Sequence, residues 1–183
     1  MSDAELEPAE APTPRRSLVW VTLVVAGAVI LVDRLTKWWA VADLKPRQQP
    51  IDVIGTFLQL RYVENTGAAF GIGTGVTWVF TGIAIIVAVV IIRTSRRIGS
   101  VAWAIAFGAL LGGAVGNLID RLVNPPSPGM GYVVDFISMP PFQVFNLADA
   151  SIVCSAVLMV ILALRGSDYR GVQAEPSAPA STP

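Results

Sequence analysis

Four stretches of this chain are apolar for long enough to cross a bilayer, and that narrows the fold more than any other feature. They run over about 18–41, 75–92, 101–122 and 144–164. A helix needs about 20 residues to span the hydrocarbon core. Lipid offers no hydrogen bonds to the backbone, so an isolated apolar run of this length must be helical. The composition agrees: 54% of the 183 residues are hydrophobic and 14% are charged, against about 25% charged in an ordinary soluble domain. The expectation is an all-α membrane protein of four transmembrane helices.

The loops orient it. Arg15 and Arg16 precede the first span, Arg93, Arg96 and Arg97 fill the short second loop, and Arg165 and Arg170 follow the last span. All three clusters fall on one side, which the positive-inside rule places in the cytoplasm with both termini. Lys45, Arg47 and Arg61 oppose this, but they are fewer and scattered. The loops at about 42–74 and 123–143 then face outward. The first of these contains an alternating run, Phe57-Leu58-Gln59-Leu60-Arg61-Tyr62-Val63, that reads as a strand. A small extracytoplasmic β-sheet on the outer membrane face accounts for it. Residues 1–16 and 167–183 read as disordered cytoplasmic tails around a four-span domain at 17–166.

The chain has no histidine. Histidine bases, histidine metal ligands and serine–histidine triads are therefore excluded. The single cysteine, Cys154, makes neither an internal disulfide nor a structural zinc site, and reads as a packing residue. A net charge of zero argues against a nucleic-acid-binding surface. Polar chemistry is left to carboxylates, lysine and arginine.

Those groups gather at the outer ends of the spans. Asp135 and Asp149 stand fourteen residues apart around the turn Pro140-Pro141. A carboxylate at the membrane edge is costly and suggests function, and two that meet can share a proton. Each alone also reads blandly, as a loop aspartate and a helix N-terminal carboxylate. Asn146 lies three residues before Asp149, on the same face. Asp33 and Lys37, at i and i+4 in the first span, can pair, either as a buried pair or with Lys37 reaching the headgroups. Trp38 and Trp39 suit an interfacial aromatic belt. Asn117, Asp120 and Arg121 close the third span, where Arg121 is expected to neutralise Asp120. Gly108, Gly112 and Gly116 form a small-residue face open to another helix. The run Glu64-Asn65-Thr66-Gly67-Ala68-Ala69-Phe70 is either a turn or a segment lining a site.

Five runs, in order over about residues 18–165, carry a resemblance. They are Asp33-Arg34-Leu35-Thr36-Lys37, the Glu64–Phe70 run, Gly116-Asn117-Leu118-Ile119-Asp120-Arg121, Val133-Val134-Asp135-Phe136 and Phe145-Asn146-Leu147-Ala148-Asp149. Together they resemble the lipoprotein signal peptidase family, signal peptidase II. The resemblance implies an aspartic endopeptidase of the bacterial cytoplasmic membrane, working near the outer leaflet. It implies removal of the signal peptide from a prolipoprotein, just before a cysteine that carries a diacylglyceryl group. It makes Asp135 and Asp149 the catalytic dyad. Asp33, Lys37, Asn65, Gly67, Asn117, Asp120, Arg121 and Asn146 become the supporting or substrate-binding residues. It implies no metal and no cofactor, partners limited to lipid-modified prolipoproteins and membrane lipids, no nucleic acid, and a monomer. The stretch after Asn65 suits a half-helix over the site. Three rivals remain: a proton-coupled transporter, a serine–lysine peptidase using Ser151 and Lys37, and a structural protein whose charges only pair helices.

Overall fold

The computed structural model describes residues 18–67 and 77–171. The expected N-terminal tail, the stretch expected to form a half-helix, 68–76, and residues 172–183 lie outside the described residues; 167–171, expected to begin the disordered C-terminal tail, are instead described and bonded to the start of the third helix. Four helices are long and apolar enough to cross a membrane. They are α1 (Val19–Trp39), α2 (Thr77–Ser95), α3 (Val101–Val123) and α4 (Leu147–Leu164). A π-helical turn, Ala40–Leu44, prolongs α1. Three strands complete the fold: β1 (Ile51–Ile54), β2 (Leu58–Asn65) and β3 (Val133–Ser138). The expected strand in the first long loop is β2, and Asp135 lies in β3. β1 was not anticipated; it is four residues long and mostly exposed, too short for its alternation to stand out.

α3 is the hub, with α1, α2 and α4 all packed against it. Its glycine face receives α1. A methyl group at Gly112 would stand 2.8 Å from the Ala26 carbonyl oxygen and 2.7 Å from Val29 Cβ. One turn earlier, a methyl at Gly108 would stand 2.7 Å from the Thr22 carbonyl oxygen. Only a residue without Cβ lets the two backbones approach this closely, and close packing is what joins helices where lipid is the solvent. The remaining faces are apolar and open, as lipid-facing surfaces should be: Trp20, Trp78, Ile86 and Val160 are all more than half exposed. Cys154 is on such a face, exposed rather than packed inside as its neighbours suggested.

The sheet is antiparallel in the order β1-β2-β3. In β2 and β3, Val63 pairs with Asp135 and Asn65 with Val133. One sheet face packs on the end of α1, where Ala40, Leu44, Val134 and Phe136 form a small core with Trp39, Leu60 and Tyr62 around it. Trp39 meets Phe136 edge-on with centroids 6.3 Å apart, so it is a packing residue, whereas Trp38 is 72% exposed. The other end of the bundle is tied by the short α2–α3 connection. There the Gly99 amide bonds the Tyr169 carbonyl at 3.0 Å and the Trp103 indole bonds the Ser167 carbonyl at 3.1 Å.

Candidate active site

Every charged side chain of the four helices that is buried sits at the sheet end. Asp33, Lys37, Asp120 and Arg121 close one side, with Asp135 and Asn146 above them. Among the described residues, the middle of the bundle carries none.

Lys37 organises the lower layer. Its ammonium lies 2.9 Å from Asp33 Oδ2, 2.9 Å from Asp120 Oδ2 and 2.9 Å from Asn117 Oδ1. An ammonium has three protons, and here all three have an acceptor. The side chain is buried, so it does not reach for the headgroups. Arg34 supplies the second cation: its Nη2 lies 2.6 Å from Asp120 Oδ1 and 3.3 Å from Asp33 Oδ2. Two carboxylates and two cations leave this layer neutral, which burial demands.

The two carboxylates also hold backbone. Asp120 Oδ2 accepts the amide of Val134 at 3.1 Å, the residue before Asp135. Asp33 Oδ1 accepts the amide of Ala148 at 3.1 Å, the residue before Asp149. Ala148 is in the first turn of α4, where unpaired amides and the helix dipole favour a negative charge. The neutral layer therefore locates both upper aspartates through the peptide units that precede them.

Asn146 joins those two aspartates. It is the N-cap of α4, with an extended backbone. Its Oδ1 accepts the Asp149 amide at 3.0 Å, and its own amide donates to Asp149 Oδ2 at 3.2 Å. This is a capping box with aspartate at the third helical position. The Asn146 side-chain amide donates to Asp135 Oδ1 at 2.6 Å and to Asn117 Oδ1 at 3.2 Å. Asn117 in turn donates to Asp149 Oδ1 at 2.7 Å. Asn65 Nδ2 donates to Asp135 Oδ2 at 2.8 Å, while its Oδ1 accepts the Gly67 amide at 2.8 Å. Gly67 has φ +95°, and a Cβ there would stand 3.1 Å from the Phe80 ring. Conformation and space both call for glycine.

Asp135, in β3, is 1% exposed. Burial, and then the charge of Asp149, raise its pKa to about 7, against the lowering effect of the bonds from Asn65 and Asn146 and of the Lys37 charge. Its acid form therefore persists to neutrality. Arg121 does not neutralise Asp120 as expected. Its guanidinium lies over the Phe80 ring at 5.5 Å, its Nη1 is buried with no hydrogen-bond partner among the described residues, and Asp135 and Asp149 lead the charges it feels.

Two cavities meet this constellation. One, of about 300 Å³, lies between α2, α3 and α4; Phe80, Ile83, Val87 and Leu110 make it apolar, and Asn117, Arg121 and Asp149 are its polar end. The other, of about 510 Å³, lies on the sheet side against Asn65 and Asp135. Ser151 belongs to neither. Its hydroxyl donates to the Leu147 carbonyl at 2.9 Å, and it faces a separate apolar groove with Val32 and Cys154. Lys37 has no capacity left to activate it.

The sequence-predicted site residues Asp33, Lys37, Asn65, Gly67, Asn117, Asp120, Arg121, Asp135, Asn146 and Asp149 all lie at this end of the bundle. Arg34 was missed as a member. Charge counting could have found it, since Asp33, Asp120 and Lys37 alone leave a buried negative charge.

A family model described as "Signal peptidase (SPase) II" matches residues 25–165. The chain is 43% identical over 166 residues to a lipoprotein signal peptidase of Rhodococcus jostii, covering 91% of this chain and 82% of that one. It is 51% identical over 149 residues to a lipoprotein signal peptidase of Streptomyces griseus, covering 81% and 76%. Among solved structures, one described as a bacterial membrane enzyme at 1.9 Å resolution is 28% identical and superposes with a TM-score of 0.72, over 85% of this chain and 100% of the other. A second, at 2.3 Å, superposes with the same TM-score of 0.72 at 27% identity, over 90% and 98%.

Proposed function

This chain belongs to the signal peptidase II family, and on that premise we propose that it is a membrane aspartic endopeptidase. It removes the signal peptide from diacylglyceryl-modified prolipoproteins, cutting before the lipidated cysteine. The observation that carries this reading is the pair Asp135 and Asp149, joined through Asn146 at the junction of an apolar intramembrane cavity and a polar one.

The dyad holds one proton between two carboxylates, and the pair titrates as a unit. A water lies between them. The ionised carboxylate takes a proton from that water, and the protonated one donates to the oxygen of the scissile carbonyl. Oxygen attacks carbon, and a tetrahedral intermediate forms. The dyad returns a proton to the leaving amine, which is that of the lipidated cysteine, and the signal peptide departs with a new carboxylate. Asn65, Asn117 and Asn146 hold the carboxylate oxygens, and Arg121 offsets the charge that develops. Asp33, Lys37, Arg34 and Asp120 are positioning residues acting through Ala148 and Val134. The activity resides in the four-span unit at 17–166, in the bacterial cytoplasmic membrane, with both termini cytoplasmic and the sheet at the outer leaflet. The enzyme works as a monomer. The apolar cavity between α2, α3 and α4 suits the end of a signal helix lying in the bilayer.

The serine–lysine rival loses support from the separation of Ser151 and Lys37. The transporter rival loses it from the uncharged middle of the bundle. The reading is tested by incubating purified protein with a prolipoprotein bearing or lacking the diacylglyceryl group and weighing the products. Cleavage of the modified form, with the lipidated cysteine as the new N-terminus, is expected. A cut elsewhere, or equal cutting of the unmodified form, would refute it.

A further inference from the structure

The sheet-side cavity has chemistry that the dyad does not use. Arg61, Val63 and Asn65 of β2 all line it; Val63 pairs directly with Asp135, and a register shift between Leu60 and Val63 falls at Arg61. Asp135 and Arg61 thus line the same cavity. The opposite wall of the cavity comes from the β3–α4 connection, where Phe142 is 71% exposed and Gln143 adds an amide. The cavity is about 510 Å³, room for a few residues of extended chain.

Its charges are not equivalent. Glu64 is engaged by Lys45 at 3.0 Å and by the Tyr62 hydroxyl at 3.0 Å. Asp135 shares the dyad. Arg61 also lines the cavity, and its side chain makes no hydrogen bond or ion pair among the described residues. The free charge at this wall is thus one exposed guanidinium.

The direction of a bound chain follows from the same geometry and rests on the reading of the site given above. Thr77, at the start of α2, donates to the Thr66 carbonyl, so the Asn65 end of β2 adjoins the membrane helices. Arg61 lies four residues back along β2 from that end. A signal helix occupying the intramembrane cavity delivers its scissile bond to the dyad, and the chain after the cut continues along β2 toward Arg61. Arg61 lies two residues from Val63 across the register shift, so at most roughly 7 Å along the strand at about 3.3 Å per residue. An extended substrate covers that distance with its second or third residue after the cut.

We propose that this cavity binds the first residues following the cut, and that Arg61 selects an acidic side chain at the second or third of them. The substrates this chain cuts best then carry Asp or Glu just after the lipidated cysteine, and Lys or Arg there is disfavoured.

The test is competitive cleavage by the full-length chain in detergent. Diacylglyceryl-modified prolipoprotein peptides carry Asp, Ser or Lys at the second or third position after the cut, and wild type is compared with Arg61→Gln and Arg61→Glu. Wild type is expected to prefer Asp over Lys by about two- to fivefold in kcat/KM, the range of a solvent-exposed ion pair, and added salt should shrink the ratio. Arg61→Gln should bring the ratio toward one, and Arg61→Glu should invert it. Cleavage of all peptides with equal kcat/KM in wild type, or an unchanged ratio in Arg61→Glu, would overturn the proposal while leaving the peptidase reading intact. Failure to cut any of them would overturn both.

Discussion

Replacing Lys37 with methionine would show whether the neutral layer beneath the dyad holds the fold together. Methionine keeps the length of the stem and removes the ammonium. Three contacts of 2.9 Å are lost, to Asp33, Asp120 and Asn117. Asp33 and Asp120, 0% and 2% exposed, then share one cation, Arg34, which is itself 29% exposed on its side chain. Removing one partner of a buried ion pair costs about 3–5 kcal/mol, because the other charge is left stranded. At about 2–4 °C per kcal/mol for a chain of this size, the midpoint of thermal unfolding should fall by about 6–20 °C. The assay is thermal unfolding of the purified variant in detergent beside wild type, Asp33→Asn and the double variant. The double variant should recover part of the loss, since Asp33→Asn removes the charge that Lys37→Met strands. A drop below about 2 °C, the scale of a lone surface pair, would refute the claim that Lys37 is a buried structural cation. Strict additivity in the double variant would refute the coupling.

Asn146→Ala should lower stability by about 1–2 kcal/mol through loss of the α4 cap and should also reduce kcat, since the same side chain holds Asp135; thermal unfolding and single-turnover cleavage read the two effects separately. Gly67→Ala meets both a φ of +95° and the Phe80 ring, and should lower cleavage and thermal midpoint together. The pH dependence follows from Asp135, whose carboxyl is raised from 3.8 to about 7. Because the folded state favours its neutral form, the stability it contributes is full below pH 3.8 and is lost as pH rises through about 7. The activity of a singly protonated dyad should fall over the same upper limb, and unfolding midpoints of wild type and Asp135→Asn should diverge as pH rises.

Much of this site could be read from residue spacing, and the misses have physical causes. Asp33 and Lys37 are one helical turn apart, so their pairing was local and legible. Arg121 was paired with Asp120 because both share a helix face with Asn117, at i+4 and i+3, yet adjacent residues on a helix do not face each other. Asp120 instead faces Lys37 and Arg34 on α1, and Arg121 faces Phe80. The glycine face of α3 was visible at its four-residue spacing, but its partner, α1, is a tertiary fact. The capping box at Asn146 was half visible, because Asn and Asp three residues apart before an apolar run mark a helix start. Its bond to Asp135 depends on how β3 folds back, which no local pattern encodes.

The central claim is that Asp135 and Asp149 together cut the peptide bond. Its most direct test is cleavage of a diacylglyceryl-modified prolipoprotein by the purified chain, beside Asp135→Asn and Asp149→Asn, with folding checked for each. Both variants should keep their helical content and lose turnover by about 10³-fold or more, since removing either half of the acid–base pair removes the step. Near wild-type turnover in either variant would contradict the dyad.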